Sequence, residues 1–479
     1  MYKRQGSHRL SVERLREGDV VVLAGELHVD DDGVGAHYES PWAYATYSPS
    51  GLNGVMQAQH AFLRERVVPA RTAAKPRPVH YNTWEAIYFD HDEATLRTLA
   101  DRAAAVGAER FVLDDGWFKG RANDSAGLGD WTVDDLKFPG GLTPLIAHVR
   151  GLGMEFGLWV EPEMVNPDSD LARAHPDWIR REGDHLLLQR HQAVLDLGNA
   201  DVCAHLYQAL DALLSTHEIS YLKWDMNRDL TGAGHGAYVR ALYGLIDRLR
   251  SAHPGVEIEA CASGGGRCDW GMLERTERVW VSDTNDALDR FDIQRNANLF
   301  LPPEVSGVHV GPAACHVTGR RLSLDLRAHV ALFGHMGLEL DLRALSDGET
   351  ERLSRHIANY KRFRDLLHTG RYWRLPCDDA DHTGVCVTSA EKTEALALVL
   401  RRGSAELGRG CALLLPGLAD EGLYRCEVVG PVSLGVERSL AAGLLDGQLV
   451  LSGKVLSGKG LDLFLPRPET SLLMHFKAV

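Results

Sequence analysis

The repeating unit of the fold is visible in residues 79–115, VHYNTWEAIYFDHDEATLRTLADRAAAVGAERFVLDD. Two short runs rich in β-branched and aromatic residues, 79–86 and 110–115, flank a stretch at 93–106 whose apolar residues recur at helical spacing. A strand, a helix and a second strand in this order predict a βα unit of a parallel sheet.

The same alternation continues along the chain and predicts a barrel. The predicted strands lie at residues 79–86, 110–115, 156–161, 221–226, 256–263, 278–283, 305–311 and 338–342. Helical patterns follow most of them, at residues 93–106, 142–152, 237–252 and 349–367. Eight βα units favour an α/β fold of the (β/α)8 TIM barrel type. A doubly wound sheet is the alternative, but no GxGxxG motif opens a helix after a first strand.

The segments on either side of the barrel have different patterns. Residues 1–75 are mixed and predict a remnant of an N-terminal β domain with a connecting helix near 56–66. The barrel is expected over residues 76–370. Residues 371–479 contain short apolar runs separated by glycine-rich turns, a pattern typical of a C-terminal antiparallel β-sandwich. We therefore predict three parts in the chain.

The charge balance and the cysteines exclude several classes of protein. The chain has 479 residues, with 52 Lys plus Arg against 66 Asp plus Glu and a net charge of −14. Such an acidic chain is not expected to bind nucleic acid. No apolar run approaches a membrane span of roughly 18 residues, and no secretory signal pattern is visible. The eight cysteines form no CxxC pair or zinc spacing. We therefore expect reduced thiols, a cytoplasmic location and no metal or other cofactor.

Reactive side chains follow the predicted strands, which is where barrel proteins place their active sites. They are Trp84, Glu85, Asp114, Asp115, Trp117, Trp159, Glu161, Glu163, Lys223, Trp224, Asp225, Cys261, Ser263, Asp283, Asp286, His309 and Asp341. Carboxylates and lysine bond hydroxyl groups, and tryptophan faces pack against the apolar side of a sugar ring. This set predicts a site for a neutral, hydroxyl-rich ligand.

Two of these carboxylates have the surroundings that suit glycoside hydrolysis, which usually needs a pair of acidic groups. Asp225 in YLKWDMNRD lies two residues after Lys223, whose ammonium favours the ionised carboxylate of a nucleophile. Asp283 in VWVSDTND follows an aromatic and apolar run that would raise its pKa for acid catalysis. For either aspartate alone, a helix cap or an ion pair at the rim is the better interpretation.

Several long motifs, in one order, resemble the α-galactosidases of glycoside hydrolase family 36. They are PWAYATYSPSGLNG, HYNTWEAIYFD, RFVLDDGWF, LGDWTVDDLKFPGGL, FGLWVEPEMVNPDSDLARAHPDWI, YLKWDMNR, EACASGGGRCDWGML, WVSDTNDALDRFDIQR and HVTGR. The resemblance extends from about Trp42 onward. It implies a retaining exo-α-galactosidase, or melibiase, that releases terminal galactose from raffinose- or melibiose-type oligosaccharides.

The resemblance also implies residue roles. Asp225, in KWD, would be the nucleophile, and Asp283, in SDxxD, would be the acid/base. Asp114 and Asp115, in LDDG, would bind the axial 4-hydroxyl and the 6-hydroxyl that distinguish galactose from glucose. The remaining sugar contacts would be Lys223, Trp159, Trp84, Arg190, Cys261 and Gly264.

Some of these assignments have simpler alternatives. Trp84 would equally suit a buried core, and Arg190 would suit a surface ion pair. Gly264 is expected because the backbone must approach the sugar closely there. The supporting residues Asp286, Glu161, Glu163 and Arg267 are expected to brace the site without acting in it.

The sequence departs from the family pattern in three places. The N-terminal β domain is expected to be shortened relative to full-length bacterial members. The stretch VSDTND has Thr284 and Asn285 where the family more often has Asn-Thr, an exchange that we expect to be harmless. Cys315 and His316 replace the usual Asn-His, so we expect a contact at the sugar site to differ.

Other functions stay open from the sequence. One alternative is a related enzyme with the same barrel, either an α-N-acetylgalactosaminidase or a raffinose-synthase-like galactosyl transferase. The Cys261/Gly264 pair argues against the acetamido sugar, because it favours a plain hydroxyl at the sugar 2-position. A second alternative, from another class of protein, is an inactive sugar-binding protein that lacks its N-terminal domain. The expected partner is a small oligosaccharide, without nucleic acid or membrane, and a homo-oligomer is left open.

Overall fold

The computed structural model describes residues 8–14, 20–26, 42, 44–73, 75–230, 234–377, 381–404, 411–430, 440 and 443–479. The N-terminal part contains an antiparallel pair of strands, β1 (His8–Arg14) and β2 (Val20–Glu26), and the helix α1 (Gly51–Arg66). Asn53 and Gln57 of α1 donate side-chain hydrogen bonds to backbone carbonyls of Arg374 and Tyr372. Helix α1 is therefore tied to the C-terminal part of the chain.

Strands and helices alternate through the middle of the chain. Their bounds are β3 (His80–Asn82), α2 (Trp84–Ile87), α3 (Glu93–Val106), β4 (Arg110–Leu113), α4 (Thr143–Gly151), β5 (Glu155–Val160), β6 (Met164–Val165), α5 (Asp170–Ala174), β7 (Ala193–Val194), α6 (Ala200–Thr216), β8 (Tyr221–Trp224), α7 (His235–Ala252), β9 (Glu257–Ala260), α8 (Trp270–Leu273), β10 (Arg278–Trp280), α9 (Ala287–Ala297), β11 (Ser306–Val310), α10 (Leu324–Leu332), β12 (His335–Leu338) and α11 (Asp347–Thr369).

Eight parallel strands form a closed barrel in the order β3, β4, β5, β8, β9, β10, β11 and β12. The barrel closes where Gly337 of β12 lies opposite His80 of β3. Apolar residues of the surrounding helices form one continuous core with the outer face of the barrel. The predicted (β/α)8 fold is confirmed.

Helix α3 illustrates how the sequence forms these helices. Its buried apolar residues Leu96, Leu99 and Ala103 lie on one face at helical spacing. The Asp92 carboxylate accepts a hydrogen bond from the Thr95 amide at the N-terminus, where such a cap is favourable. The helix ends at Gly107, whose φ of 100° is readily adopted only by glycine.

The first and the eighth predicted strands differ most from their bounds in the structure. The first strand is only His80–Asn82, because the Asn82 side chain accepts a hydrogen bond from the Trp84 amide and starts the turn into α2. The eighth strand was predicted at 338–342 but is β12, which ends at Leu338. Glycines give this stretch a weak strand pattern, and Gly337 is needed there because a Cβ would lie 2.5 Å from the His309 ring.

The C-terminal part is an antiparallel β structure, as predicted. Its elements are β13 (Arg371–Leu375), β14 (His382–Thr388), β15 (Glu394–Arg401), β16 (Cys411–Leu413), β17 (Leu423–Val428), β18 (Leu449–Ser452), α12 (Gly453–Gly458), β19 (Leu461–Leu463) and β20 (Thr470–Ala478). Six strands form one sheet in the order β13, β14, β15, β20, β17 and β18, and β16 pairs with β19. Both sheets contribute to a second apolar core. The division into residues 1–75, 76–370 and 371–479 stays a prediction.

Two features of the described residues bear on possible partners. No helix in the described ranges is long and apolar enough to cross a membrane. Within the same ranges, no group of three or more His, Cys, Asp or Glu side chains is arranged to hold a metal ion.

Candidate active site

A cavity of about 330 Å³ opens at the carboxyl ends of the barrel strands. It is lined by every residue assigned to the site from the sequence except Gly264. These residues are Asp225, Asp283, Asp114, Asp115, Trp159, Arg190, Lys223, Cys261 and Trp84. The parallel strands bring them together from positions far apart in the chain, since all strands end at the same side of the barrel.

Asp225 lies directly after β8 and is buried among hydrogen-bond donors. Its Oδ2 accepts hydrogen bonds from Asn227 Nδ2 at 2.8 Å and Trp159 Nε1 at 3.2 Å, and its Oδ1 accepts one from the Met226 amide at 2.8 Å. Burial alone would raise the pKa of Asp225, but the Lys223 ammonium and the hydrogen bonds outweigh it and lower the pKa below its usual value. The site therefore keeps this carboxylate ionised.

Asp283 follows β10, and its exposed side chain lines the cavity. Its Oδ1 accepts a hydrogen bond from Trp280 Nε1 at 3.0 Å. Desolvation and the negative charge of Asp225 raise the pKa of Asp283 above its usual value. One cavity thus contains an ionised carboxylate and a carboxyl group that retains its proton more strongly, which is the division of roles that nucleophile and acid require.

Asp114 and Lys223 form a buried ion pair on the floor of the cavity. Lys223 Nζ lies 2.7 Å from Asp114 Oδ2, which also accepts a hydrogen bond from Asn82 Nδ2 at 2.6 Å. Burial would lower the pKa of Lys223, but Asp114 raises it, so the ammonium stays charged. Charged groups held at fixed positions can donate to and accept from neighbouring hydroxyl groups of a ligand.

Asp115 is held by a residue that sequence reasoning did not select. The Arg121 guanidinium donates two hydrogen bonds to Asp115, at 2.9 Å to Oδ1 and 2.7 Å to Oδ2. Arg121 also donates to Asn166 Oδ1 at 3.0 Å, and both arginine and aspartate are buried. This two-pronged contact fixes the direction of the Asp115 side chain.

We expect Arg121→Met to lower the free energy of unfolding by about 3–5 kcal/mol, because it leaves the Asp115 carboxylate buried without its counter-charge. Urea unfolding at neutral pH would measure the change. The matched control is Arg173→Met, since Arg173 forms an exposed pair with Asp170 whose loss should leave the midpoint close to that of the wild type. Equal midpoints for the two variants would contradict the prediction.

Two tryptophans lie on the walls of the cavity. Trp159 is buried, lies parallel to the Phe118 ring at 6.3 Å and donates to Asp225. Trp84 is half-buried and packs edge to face against Tyr88 and Phe89. Trp84 therefore lines the cavity as a half-buried wall, which differs from the buried core position of the alternative interpretation.

Arg190 reaches the cavity from a strained stretch of backbone. Its φ is 52°, in the left-handed region that non-glycine residues rarely adopt. The side chain donates to Asn227 Oδ1 at 2.9 Å and to Ser263 Oγ at 3.2 Å. Arg190 thus contacts Asn227, the residue that donates to Asp225, and this contact is not the surface ion pair of the alternative interpretation.

Cys261 and Gly264 contribute in different ways. Cys261 is buried, and its thiol donates a hydrogen bond to the Asp225 carboxylate. Gly264 has a φ of 80°, and a Cβ there would lie 2.8 Å from Ser282 Cα and 3.0 Å from the Asp283 amide nitrogen. The structure therefore gives a reason for this glycine that differs from a close approach of backbone to sugar, because it allows the loop that carries Asp283 to pack closely.

The residues expected to brace the site have clear partners. Glu163 Oε1 accepts hydrogen bonds from Arg267 at 2.6 Å and from Trp224 at 2.9 Å. Gln192 donates to Glu161 at 3.1 Å. Asp286 caps α9, where its carboxylate accepts from the Leu288 amide. These contacts hold the loops around the cavity in place.

Sequence reasoning missed several residues that line the cavity. They are Tyr88, Phe89, Arg121, Asp124, Gln192, Asn227, Trp280 and Glu339, while Glu85 was noted at a strand end without a role. His316, where the sequence predicts an altered contact at the sugar site, also lines the cavity. Glu339 directly follows β12 and was missed because the eighth strand was placed too late, which selected Asp341 instead. Asp341 pairs with Arg343 at 2.9 Å and does not line the cavity. The signal for Asn227 was its place two residues after Asp225.

The fold and this cavity define a (β/α)8-barrel protein with a pair of carboxyl groups in one cavity at the carboxyl ends of its strands. The family model described as Melibiase matches residues 37–370. The chain belongs to the Melibiase family, and the resemblance drawn from its sequence motifs is confirmed.

Named relatives agree with this assignment. The α-galactosidase of Escherichia coli is 43% identical over 485 residues, covering 98% of this chain and 68% of the relative. Alpha-galactosidase 1 of Pediococcus pentosaceus is 38% identical over 460 residues, covering 93% of this chain and 60% of the relative. The crystal structure of the family 36 α-galactosidase AgaA from Geobacillus stearothermophilus superposes with a TM-score of 0.83 at 35% identity, over 90% of this chain and 59% of AgaA. The chain thus spans about three fifths to two thirds of the length of these relatives.

Proposed function

We propose that the chain is a retaining exo-α-galactosidase that hydrolyses terminal α-D-galactosyl groups of raffinose- and melibiose-type oligosaccharides. The observation that carries the proposal is the pair Asp225 and Asp283, which share one cavity and have pKa values displaced in opposite directions. Family membership supports it, and variants of AgaA have been crystallised with raffinose and with stachyose.

The proposed reaction has two steps. Asp225 Oδ attacks the anomeric carbon while Asp283 donates its proton to the leaving oxygen, which breaks the glycosidic bond and forms a covalent galactosyl-enzyme. The ionised Asp283 then takes a proton from water, and the hydroxide oxygen displaces Asp225 from the anomeric carbon. Two inversions leave the released galactose in the α configuration, and Asp283 regains its proton for the next cycle.

The other lining residues would select and hold the sugar. In this proposal Asp114, Asp115 and Lys223 bond the hydroxyl groups that distinguish galactose, and Trp159 and Trp84 pack against the apolar side of the ring. Arg190, Cys261 and Gly264 complete the site, with Gly264 acting through the position of the Asp283 loop.

Hydrolysis of 4-nitrophenyl α-D-galactoside by the whole chain tests the proposal. We expect release of nitrophenol from this substrate, galactose from raffinose, and little reaction with the α-D-glucoside or with the N-acetyl-α-D-galactosaminide. A preference for the acetamido sugar would identify an α-N-acetylgalactosaminidase. Transfer to sucrose in place of water would identify a galactosyl transferase, and binding of galactose without turnover would identify a sugar-binding protein.

The two pKa directions predict a bell-shaped dependence of kcat/KM on pH. The reaction needs Asp225 ionised and Asp283 protonated, so activity falls below the lowered pKa of the first and above the raised pKa of the second. Trp280→Phe removes a hydrogen bond that lowers the pKa of Asp283, and should move only the alkaline limb upward, by up to about one pH unit. Asn227→Ala should move the acid limb upward by a similar amount, since Asn227 lowers the pKa of Asp225. A shift of the opposite limb in either variant would contradict the assignment.

Two expectations from the sequence stay predictions. A cytoplasmic location rests on the scattered cysteines, and a homo-oligomer rests on the resemblance to the family. Fractionation of the native cell and sedimentation of the purified chain would test them.

A further inference from the structure

Asn285 joins three elements at the rim of the barrel. It is buried in the loop between β10 and α9, two residues after Asp283. Its Nδ2 donates to Glu85 Oε1 in α2 at 2.7 Å and lies 3.4 Å from Glu339 Oε2, directly after β12. Since each carboxyl group belongs to a different element, this amide connects the loop of Asp283 to both.

The state of Glu339 follows from its partners. His309 Nε2 lies 3.0 Å from Arg278 Nη2, and arginine can only donate, so this ring nitrogen accepts. Burial and the Arg278 charge lower the pKa of His309, so the ring is neutral and carries its proton on Nδ1. That Nδ1 donates to Glu339 Oε2 at 2.6 Å. Burial raises the pKa of Glu339, but the Lys223 ammonium and the Asn285 hydrogen bond oppose this rise. These donors and this counter-charge favour the ionised form of Glu339.

Glu85 has the surroundings of a neutral acid. Its Oε1 accepts the Asn285 hydrogen bond, while its Oε2 is buried and has no donor within the described part of the chain. Glu339 faces it with negative charge, and so does Asp283 whenever Asp283 is ionised. The positive group that faces it is Lys223, and the exposed His316, whose Nδ1 lies 3.3 Å from Glu85 Oε1, is positive only when it is protonated. Burial and Glu339 raise the pKa of Glu85 to about 8.

The loop that carries Asp283 is held at several points. Arg290 Nη1 donates to the Ser282 carbonyl at 2.6 Å, and Gly264 allows close packing against the backbone of residues 282–283. Asn285 supplies the anchor on the far side of Asp283. Without it, the loop loses its attachment to α2 and β12, and the proton of Asp283 is no longer held at a fixed place in the cavity.

We propose that Asn285 is a positioning residue for Asp283, and that it anchors the acid to a carboxyl pair, Glu85 and Glu339, which holds one proton. This inference rests on the proposed galactosidase reaction. It gives a consequence to the Thr284-Asn285 order, which the sequence alone led us to regard as harmless. The proton on Glu85 limits the negative charge beside Asp283, because only one of the two neighbouring carboxyl groups is then ionised.

The first test compares leaving groups in Asn285→Ala. When raffinose is cleaved, the leaving group is sucrose, a weakly acidic alcohol whose oxygen must be protonated, whereas 2,4-dinitrophenolate leaves without help from an acid. We expect kcat/KM to fall about 100-fold for raffinose and less than about threefold for 2,4-dinitrophenyl α-D-galactoside. The matched control is Asn296→Ala in the exposed last turn of α9, which should leave both values unchanged. An equal loss for both substrates in Asn285→Ala would overturn the proposal, since a merely structural role does not depend on the leaving group.

The second test detects the proton that the proposal places on Glu85. Glu85→Gln keeps an oxygen that accepts from Asn285 and resembles the neutral acid, so kcat/KM for raffinose at pH 6 should stay within about threefold of wild type. The infrared carbonyl band of a protonated carboxylic acid, present at pH 7, should weaken in this variant. A loss of activity as large as that in Asn285→Ala, or an unchanged band, would overturn the assignment of a proton to Glu85. A wild-type chain that cleaves neither substrate would refute the proposed function instead, while the infrared band would still report on Glu85.

Discussion

Asp225→Ala is expected to lower kcat for 4-nitrophenyl α-D-galactoside by about 10⁴-fold or more, because no other group can form the covalent intermediate. The substitution also opens a space at the anomeric carbon, between donors that stay in place. Asn227 Nδ2 and Trp159 Nε1 would still point at the vacated position. A small anion such as azide can bind there.

Azide added to Asp225→Ala should restore release of nitrophenol and yield β-galactosyl azide. The reason is that azide attacks from the face that Asp225 occupied, and a single displacement inverts the α-galactoside. Nuclear magnetic resonance of the product gives the anomeric configuration. The wild-type chain with azide is the control and should release α-galactose. An α-azide from the variant, or full activity without azide, would remove Asp225 from the role of nucleophile.

The barrel was predictable because its parallel strands are short apolar runs with reactive side chains at their ends. The strands that carry Asp114, Trp159 and Asp225 begin within one residue of their predicted positions. The eighth strand differs because glycine, needed for close approach to His309, weakens its pattern. Because the eighth strand was predicted a few residues too late, Glu339 was not recognised as a residue at a strand end. An error in a strand boundary thus led to an error in the predicted site.

Side-chain partners were harder to predict than strand ends. Arg121 and Asn285 lie in loops, and neither has a sequence pattern that predicts its partner. Asn285 meets Glu85 across 200 residues of sequence, and Lys223 meets Asp114 across 109. Contacts of this kind depend on how the closed barrel places its loops, which periodicity along the chain does not encode.

The prediction that complements the nucleophile test concerns Asp283→Ala. Without its acid, the chain should lose about 10²–10⁴-fold in kcat/KM for raffinose but little for 2,4-dinitrophenyl α-D-galactoside, whose leaving group needs no proton. The galactosyl-enzyme would then accumulate, because no base remains to activate water. Rapid mixing would show this as a burst of dinitrophenol.

Azide distinguishes the two aspartates by the product that it forms. In Asp283→Ala it needs no base, so it should displace Asp225 from the galactosyl-enzyme and yield α-galactosyl azide, after two inversions. The same anion thus gives opposite anomers in the two variants, which no general loss of structure would produce. If Asp283→Ala gave the β-azide, Asp283 would be the residue that bonds the sugar, and the pKa directions in the cavity would belong to the opposite roles.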